Sequence, residues 1–226
     1  MRRKILLTPG PPAGKGYGDD RTGTAMNAEE RKKHILRCAK KLFSRHGFYE
    51  TQISDIITEA DIARGTVYQY FKHKEDIFTT LLEEFYTAWE RLIASAAENV
   101  DLDAVSPEAY LRTRIRTTLL FFAGDNEMCN IVLRMGVGIH KSFDAVIKRF
   151  EKKIAGVIID DLVIGQNYKT VRADIDRELF ANIIVGALFR VSYYYFVQHK
   201  SHKDSRDIDA ITDRIVGFIS PGLFAK

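Results

Sequence analysis

Apolar residues recur every three or four positions along most of this 226-residue chain. That is the spacing of one helix face, and no run alternates with the period of two that marks a strand. Ile35, Ala39, Leu42 and Phe43 make the first stripe and predict a helix over 28–46. Asn27-Ala28-Glu29-Glu30 is a good start for it, and Gly47 supplies a left-handed stop. Phe48 and Tyr49 then cover the core edge. A second helix opens on Thr51 as N-cap, with Ile53, Ile56, Ile57 and Ala60 as its buried stripe. Asp61-Ile62-Ala63 is a tight turn; aspartate tolerates the left-handed backbone better than most residues, and Ile62 plugs the angle between the helices. A short third helix over 64–71 turns Val67 and Phe71 inward. Lys72-His73-Lys74 breaks it. A long fourth helix over 74–94 carries Ile77, Phe78, Leu81, Leu82, Phe85, Trp89, Leu92 and Ile93 on a wide apolar face.

The remaining stripes predict helices over 107–122, 126–137, 142–163, 175–199 and 207–219. Ser106-Pro107-Glu108 opens the first of these with a cap and a proline at the first helical position. Residues 165–167 read as a loop, Asp174 as the cap of the very apolar 175–199, and Pro221-Gly222 as the end of the last helix. Three of the five prolines lie in the first twelve residues, so the rest is almost free of helix breakers. The expected fold is all-α: a disordered tail over 1–26, three short helices over 27–73, and a helical bundle over 74–226. The tail holds Gly10-Pro-Pro-Ala-Gly14-Lys15, a phosphate-loop likeness that is one residue short, has Gly16 where Ser or Thr belongs, and follows no strand. Met26 directly precedes the first helix start, so translation is expected to begin there, with the segment before it dispensable.

Charge sharpens the picture by its placement. The net charge is only +4. Yet the first helix carries Arg31, Lys32, Lys33, Arg37, Lys40, Lys41 and Arg45 against Glu29 and Glu30, which sit in its first turn and favour the helix dipole. The two cysteines, Cys38 and Cys129, lie far apart on helical patterns and read as small buried hydrophobes, not as a disulfide or zinc site. A reducing cytoplasm fits that usage. The stretch 179–197 approaches the ~20 apolar residues a membrane span needs. Asn182 and Arg190 lie inside it, however, and an arginine near a span centre costs about 2.5–3.5 kcal/mol. A helix of a soluble protein, buried on all sides, is the expectation. The opening RRKILLTPG has an apolar stretch too short for a signal peptide.

Three short helices, the second and third joined by a tight turn, are the layout of a helix-turn-helix that binds double-stranded DNA. The third helix would expose Arg64, Gly65, Thr66, Tyr68, Gln69 and Tyr70. Arginine pairs two ways with guanine and glutamine with adenine. Glycine admits close backbone approach, and hydroxyls suit phosphate oxygens. The start of the second helix, with Thr51, is a ready anion site. The run Gly65-Thr66-Val67-Tyr68-Gln69-Tyr70-Phe71-Lys72-His73-Lys74-Glu75 resembles the end of the DNA-binding domain of the tetracycline-repressor (TetR) family, and the likeness extends over 31–78. It implies a DNA-binding regulator in which Arg64, Gly65 and Gln69 face bases. Thr51, Gln52, Thr66, Tyr68, Tyr70 and Lys74 would then touch backbone. One position departs: Ala63 stands where the family often has a capping serine, a cap worth ~0.5–2 kcal/mol.

The resemblance further implies a carboxy-terminal part that binds a small effector and makes a homodimer. The helices at 175–199 and 207–219 would form the dimer, the latter presenting Ile208, Ile211, Ile215, Phe218 and Ile219, with Gly186 and Ala187 allowing close approach. An apolar effector would meet Phe85, Trp89, Tyr110, Phe121, Phe122, Met135, Phe143 and the aromatic run around Tyr194, with Arg114, Arg134, His140 and Arg190 as polar anchors. No cofactor or metal is expected: His199-x-x-His202 has ligand spacing but no third ligand. Nor is enzyme activity, since no nucleophile elbow or metalloprotease motif occurs. The alternative is an architectural DNA-binding protein without an effector.

Overall fold

The structure, a computed structural model, describes residues 26–98, 104–134, 141–199 and 204–225. The expectations for the tail, for residues 135–137 and for His202 therefore fall outside the described residues. Among those described, nine α-helices follow one another: α1 (Ala28–His46), α2 (Ile53–Ala60), α3 (Arg64–Tyr70), α4 (Lys74–Glu98), α5 (Pro107–Gly124), α6 (Asn126–Arg134), α7 (Lys141–Asn167), α8 (Arg177–Ser192) and α9 (Ser205–Leu223). Helix α8 runs on into a π-helical segment, Tyr193–Gln198.

Local chemistry explains most boundaries. Asn27 and Glu30 form a reciprocal capping box, each side chain accepting from the other's backbone N–H at 2.9 Å. Gly47 ends α1 at φ 86°. Asp61 ends α2 in the left-handed region, φ 50° and ψ 44°. Ser106 caps α5 ahead of Pro107.

Other boundaries differ from expectation. The N-cap of α2 is Gln52, whose N–H donates to Asp55 at 2.8 Å, because Thr51 is turned inward. The cap of α8 is Asp176, bonded to Leu179 N–H at 3.0 Å, because Arg172 occupies the carboxylate of Asp174 at 2.6 and 3.0 Å. Helix α7 continues through 165–167. Gly165 is a packing residue there: a Cβ on it would lie 2.5 Å from Val171 Cγ2. Helix α9 continues through Pro221 and Gly222. Proline forfeits the bond to the carbonyl four residues back, but that residue is Gly217, at an exposed position where water can replace it.

One core runs through the molecule. Phe43, Phe48 and Phe78 join α1, the α1–α2 loop and α4, and Phe143 of α7 packs on them with ring centres 4.9 Å from Phe48 and 4.6 Å from Phe78. Helix α6 lies on α1, where Asn130 donates to the Ser44 carbonyl at 2.7 Å and Lys40 to Asp125 at 2.8 Å. Helices α5 and α9 are laced by Arg112 with Asp213 and Arg116 with Asp209, both at 2.6 Å. Only a third of the α8 stretch is buried, so it is not surrounded on all sides. Leu179 and Ile183 are exposed on it, and Phe218 on α9 is 89% exposed. By contrast Ile208 and Ile211 are buried, and Ile215 and Ile219 pack on the core.

Candidate nucleic-acid interface and ligand cavity

Helix α3 is held from behind. Val67 and Phe71 are buried, and Ile62 packs on the same core. Its outer face carries Arg64, Gly65, Tyr68 and Gln69, all exposed, with Thr66 half-buried beside them. The Arg64 guanidinium lies over the Tyr68 ring at 5.5 Å. Nothing lies within 4 Å of where a Gly65 Cβ would stand, so no packing demand inside the protein requires glycine there. Ala63 precedes the helix without a side-chain cap. At the far end of α2, His34 and Cys38 of α1 bond the carbonyls of Ala60 and Glu59 at 3.0 and 3.7 Å, fixing the turn that aims α3. The α1 basic stripe is partly neutralised: Lys33 pairs with Glu29, Lys40 with Asp125, and Lys41 with Glu59. The Lys41 hydrogen bond holds the Glu59 carboxyl below the usual range.

Two of the residues expected to touch DNA are engaged within the protein. Thr51 is 1% exposed, and its hydroxyl donates to the Gly47 carbonyl at 2.7 Å. The Lys74 ammonium donates to the carbonyls of Phe48, Tyr49 and Thr51 at 2.8, 3.2 and 2.8 Å, above the Phe48 ring. An ammonium has three donors, and all three are used. Tyr70 is half-buried with its ring on the core.

Behind this unit, α4, α5, α7 and α8 surround a cavity of about 200 Å³. Most of its wall is aliphatic, from Ile93, Ile115, Ile154, Ile158, Leu162 and Leu188. One end is closed by a strap. The 170–172 segment pairs with the carboxy-terminal residues through the Val171–Phe224 bridge, and Arg172 N–H donates to Leu223 O at 3.1 Å. The polar part is a closed triad. Arg114 forks onto both oxygens of Asp161 at 2.9 and 2.8 Å, and Tyr110 donates to the same carboxylate at 2.7 Å. Burial and that hydrogen bond push the Tyr110 hydroxyl up to about 12. Trp89 lines the cavity at 2% exposure, and its indole N–H has no partner among the described residues.

Residues 35–81 match the sequence model of the bacterial regulatory proteins of the tetR family. The chain is a TetR-family transcriptional regulator. It is 23% identical over 193 residues to the HTH-type transcriptional regulator YdgC of Bacillus subtilis (strain 168), spanning 85% of this chain and 95% of that one. It is 27% identical over 153 residues to the HTH-type transcriptional repressor NicS of Pseudomonas putida, spanning 67% of this chain and 70% of that one. Its fold matches the regulator FadR of Bacillus subtilis, solved in complex with stearoyl-CoA. That match has a TM-score of 0.71, 20% identity, and covers 84% of this chain and 98% of the other.

In this TetR-family regulator, three of the residues expected to meet an effector line the cavity: Trp89, Tyr110 and Arg114. Phe85, Phe121 and Phe122 form an aromatic cluster beside it instead, with Phe85 and Phe121 centred 4.6 Å apart. Phe143 is fully buried at the junction with the helix-turn-helix. Tyr194 is 42% exposed. Met135, His140 and the Arg134 side chain lie outside the described residues. Arg190 and Tyr193 instead border a second cavity of about 320 Å³ between α4, α6, α7 and α8, with Glu151 at its edge. Sequence reading missed the aliphatic wall, because those isoleucines and leucines follow the same spacing as any core face. It also missed Asp161, whose partner is 47 residues away.

Proposed function

We propose that this chain is a homodimeric, cytoplasmic repressor that leaves a near-palindromic operator when a small, largely apolar effector fills the α4–α5–α7–α8 cavity. The carrying observation is that one helix serves both sites. Lys74 at the start of α4 holds the loop before α2, while Trp89 and Ile93 near its other end line the cavity. A ligand that changes the packing around Trp89 acts on the element that positions α3. It must bind the two states with different affinity, with a coupling of ~1–3 kcal/mol. The repressor name of the Pseudomonas relative and the stearoyl-CoA bound by the Bacillus regulator are in keeping with this reading.

In it, residues 27–73 form the DNA-binding domain and 74–226 the effector and dimer domain. Arg64, Gly65 and Gln69 meet bases; Gln52, Thr66, Tyr68 and Tyr70 meet the sugar-phosphate backbone. Thr51 and Lys74 hold the loop behind them. Selection of bound duplexes from a random pool tests this. The expected product is an inverted repeat with half-sites about 34–36 Å apart. Arg64→Ala should cost ~1–3 kcal/mol and relax one base position in each half-site. Sequence-tolerant binding, unaffected by that substitution, would instead indicate an architectural protein.

A further inference from the structure

We propose that the cavity accepts an uncharged hydrocarbon ligand whose one buried oxygen, of carbonyl type, is held by the Trp89 indole N–H, and that it excludes a free carboxylate. The inference rests on reading this cavity as the effector site.

The argument is an account of donors and charges. Arg114 is the one cation in the wall among the described residues, and it is already matched. Its Nε and Nη2 donate to Asp161, and its Nη1 donates to the Ile93 carbonyl at 3.1 Å. Its side chain is 15% exposed and that of Asp161 22%. A ligand carboxylate taking Arg114 would strand the Asp161 charge in a poorly hydrated place, which is strongly unfavourable. Of the remaining hydroxyls, that of Tyr168 belongs to a residue 58% exposed to water, and the other three are committed. Tyr110 donates to Asp161, Thr118 to the Arg114 carbonyl at 3.1 Å and Thr170 to the Gly165 carbonyl at 3.1 Å.

Trp89 is the exception among the buried donors. Indole nitrogen only donates, and here it is buried without an acceptor among the described residues. A buried unpaired donor is costly, and a ligand oxygen that accepts from it removes the cost. The aliphatic wall supplies the rest of the contact. An apolar cavity of ~150 Å³ holds benzene, so about 200 Å³ suits a ring with a short substituent. Ketones and acyl thioesters both offer the required atom.

Four near-isosteric probes test this on the full-length protein by calorimetry and by fluorescence of Trp89, the single tryptophan. They are acetophenone, S-methyl thiobenzoate, ethylbenzene and benzoate. Acetophenone and the thioester should bind and change Trp89 emission; either order supports the proposal and the tighter one names the source. Ethylbenzene, lacking the acceptor, should bind about three- to tenfold more weakly, and benzoate more weakly still. Trp89→Phe, followed by calorimetry, should bring acetophenone and ethylbenzene level. Asp161→Asn frees Arg114 and should move the preference towards benzoate. Wild-type preference for benzoate, or an acetophenone advantage that survives Trp89→Phe, overturns the proposal and leaves the effector reading intact. Failure of all four to bind overturns both.

Discussion

Lys74 shows how a residue can match a motif and serve a different end. A cation at the first position of α4 opposes the helix dipole, so it needs compensation. The carbonyls of Phe48, Tyr49 and Thr51 supply it, and Thr51 adds its own bond to Gly47. Together they set the loop that leads into α2. Lys74→Met keeps the stem and removes the three donors. It should lower stability by about 1–3 kcal/mol, read as a fall in thermal midpoint, while the salt dependence of operator binding keeps its slope. A flatter slope at unchanged stability would make the ammonium a phosphate contact after all. The sequence could not separate the two roles, because its spacing to the glycine-threonine run is the same in either. Gly65 was more legible. Its need for a bare backbone was inferred from the groove, and the open space around it leaves that explanation standing.

Helix α3 was legible in place and, Tyr70 apart, in face because its signals are local: an aspartate that accepts φ 50°, two inward apolar residues, and a following break. The missing cap was equally visible. Ala63 has φ −54° and ψ 135°, a conformation that suits an N-cap, yet offers no acceptor. Ala63→Ser should therefore stabilise the domain by ~0.5–2 kcal/mol and slow amide exchange in α3. Operator affinity should rise, since less ordering is left to the complex. Unaltered exchange across 64–70 would mean that packing of Val67 and Phe71 already orders the helix fully. The longer helices were less legible at their ends for a non-local reason. Whether Asp174 or Asp176 caps α8 depends on Arg172, and whether Gly165 stops α7 depends on Val171. Both are settled by the turn at 168–172, which is paired with the carboxy-terminal residues far along the chain.

At the scale of the whole molecule, the unassigned apolar residues lie on α8 and α9. Leu179 and Ile183 are 59% and 57% exposed, and Phe218 is 89% exposed. Gly186, Ala187 and Gly217 lie exposed on the same two helices, and the glycines have open space where a Cβ would stand. Apolar residues standing out beside bare backbone suit close helix-on-helix contact with a second copy. The apolar stripe of α9 left open which of its isoleucines would take part. In fact Ile208 and Ile211 are consumed by the protomer's own core, and α5 holds α9 in place through Arg112 and Arg116. A two-fold contact on these helices would thus be narrower than the sequence implied and more sensitive to one charge. Ile183→Lys should leave helicity and ligand binding intact but shift the sedimentation of the protein from dimer to monomer. It should also weaken the operator far more than a single half-site, because two linked recognition helices gain from effective concentration what one cannot. A dimer that survives both Ile183→Lys and Phe218→Asp would place the two-fold contact elsewhere on the molecule.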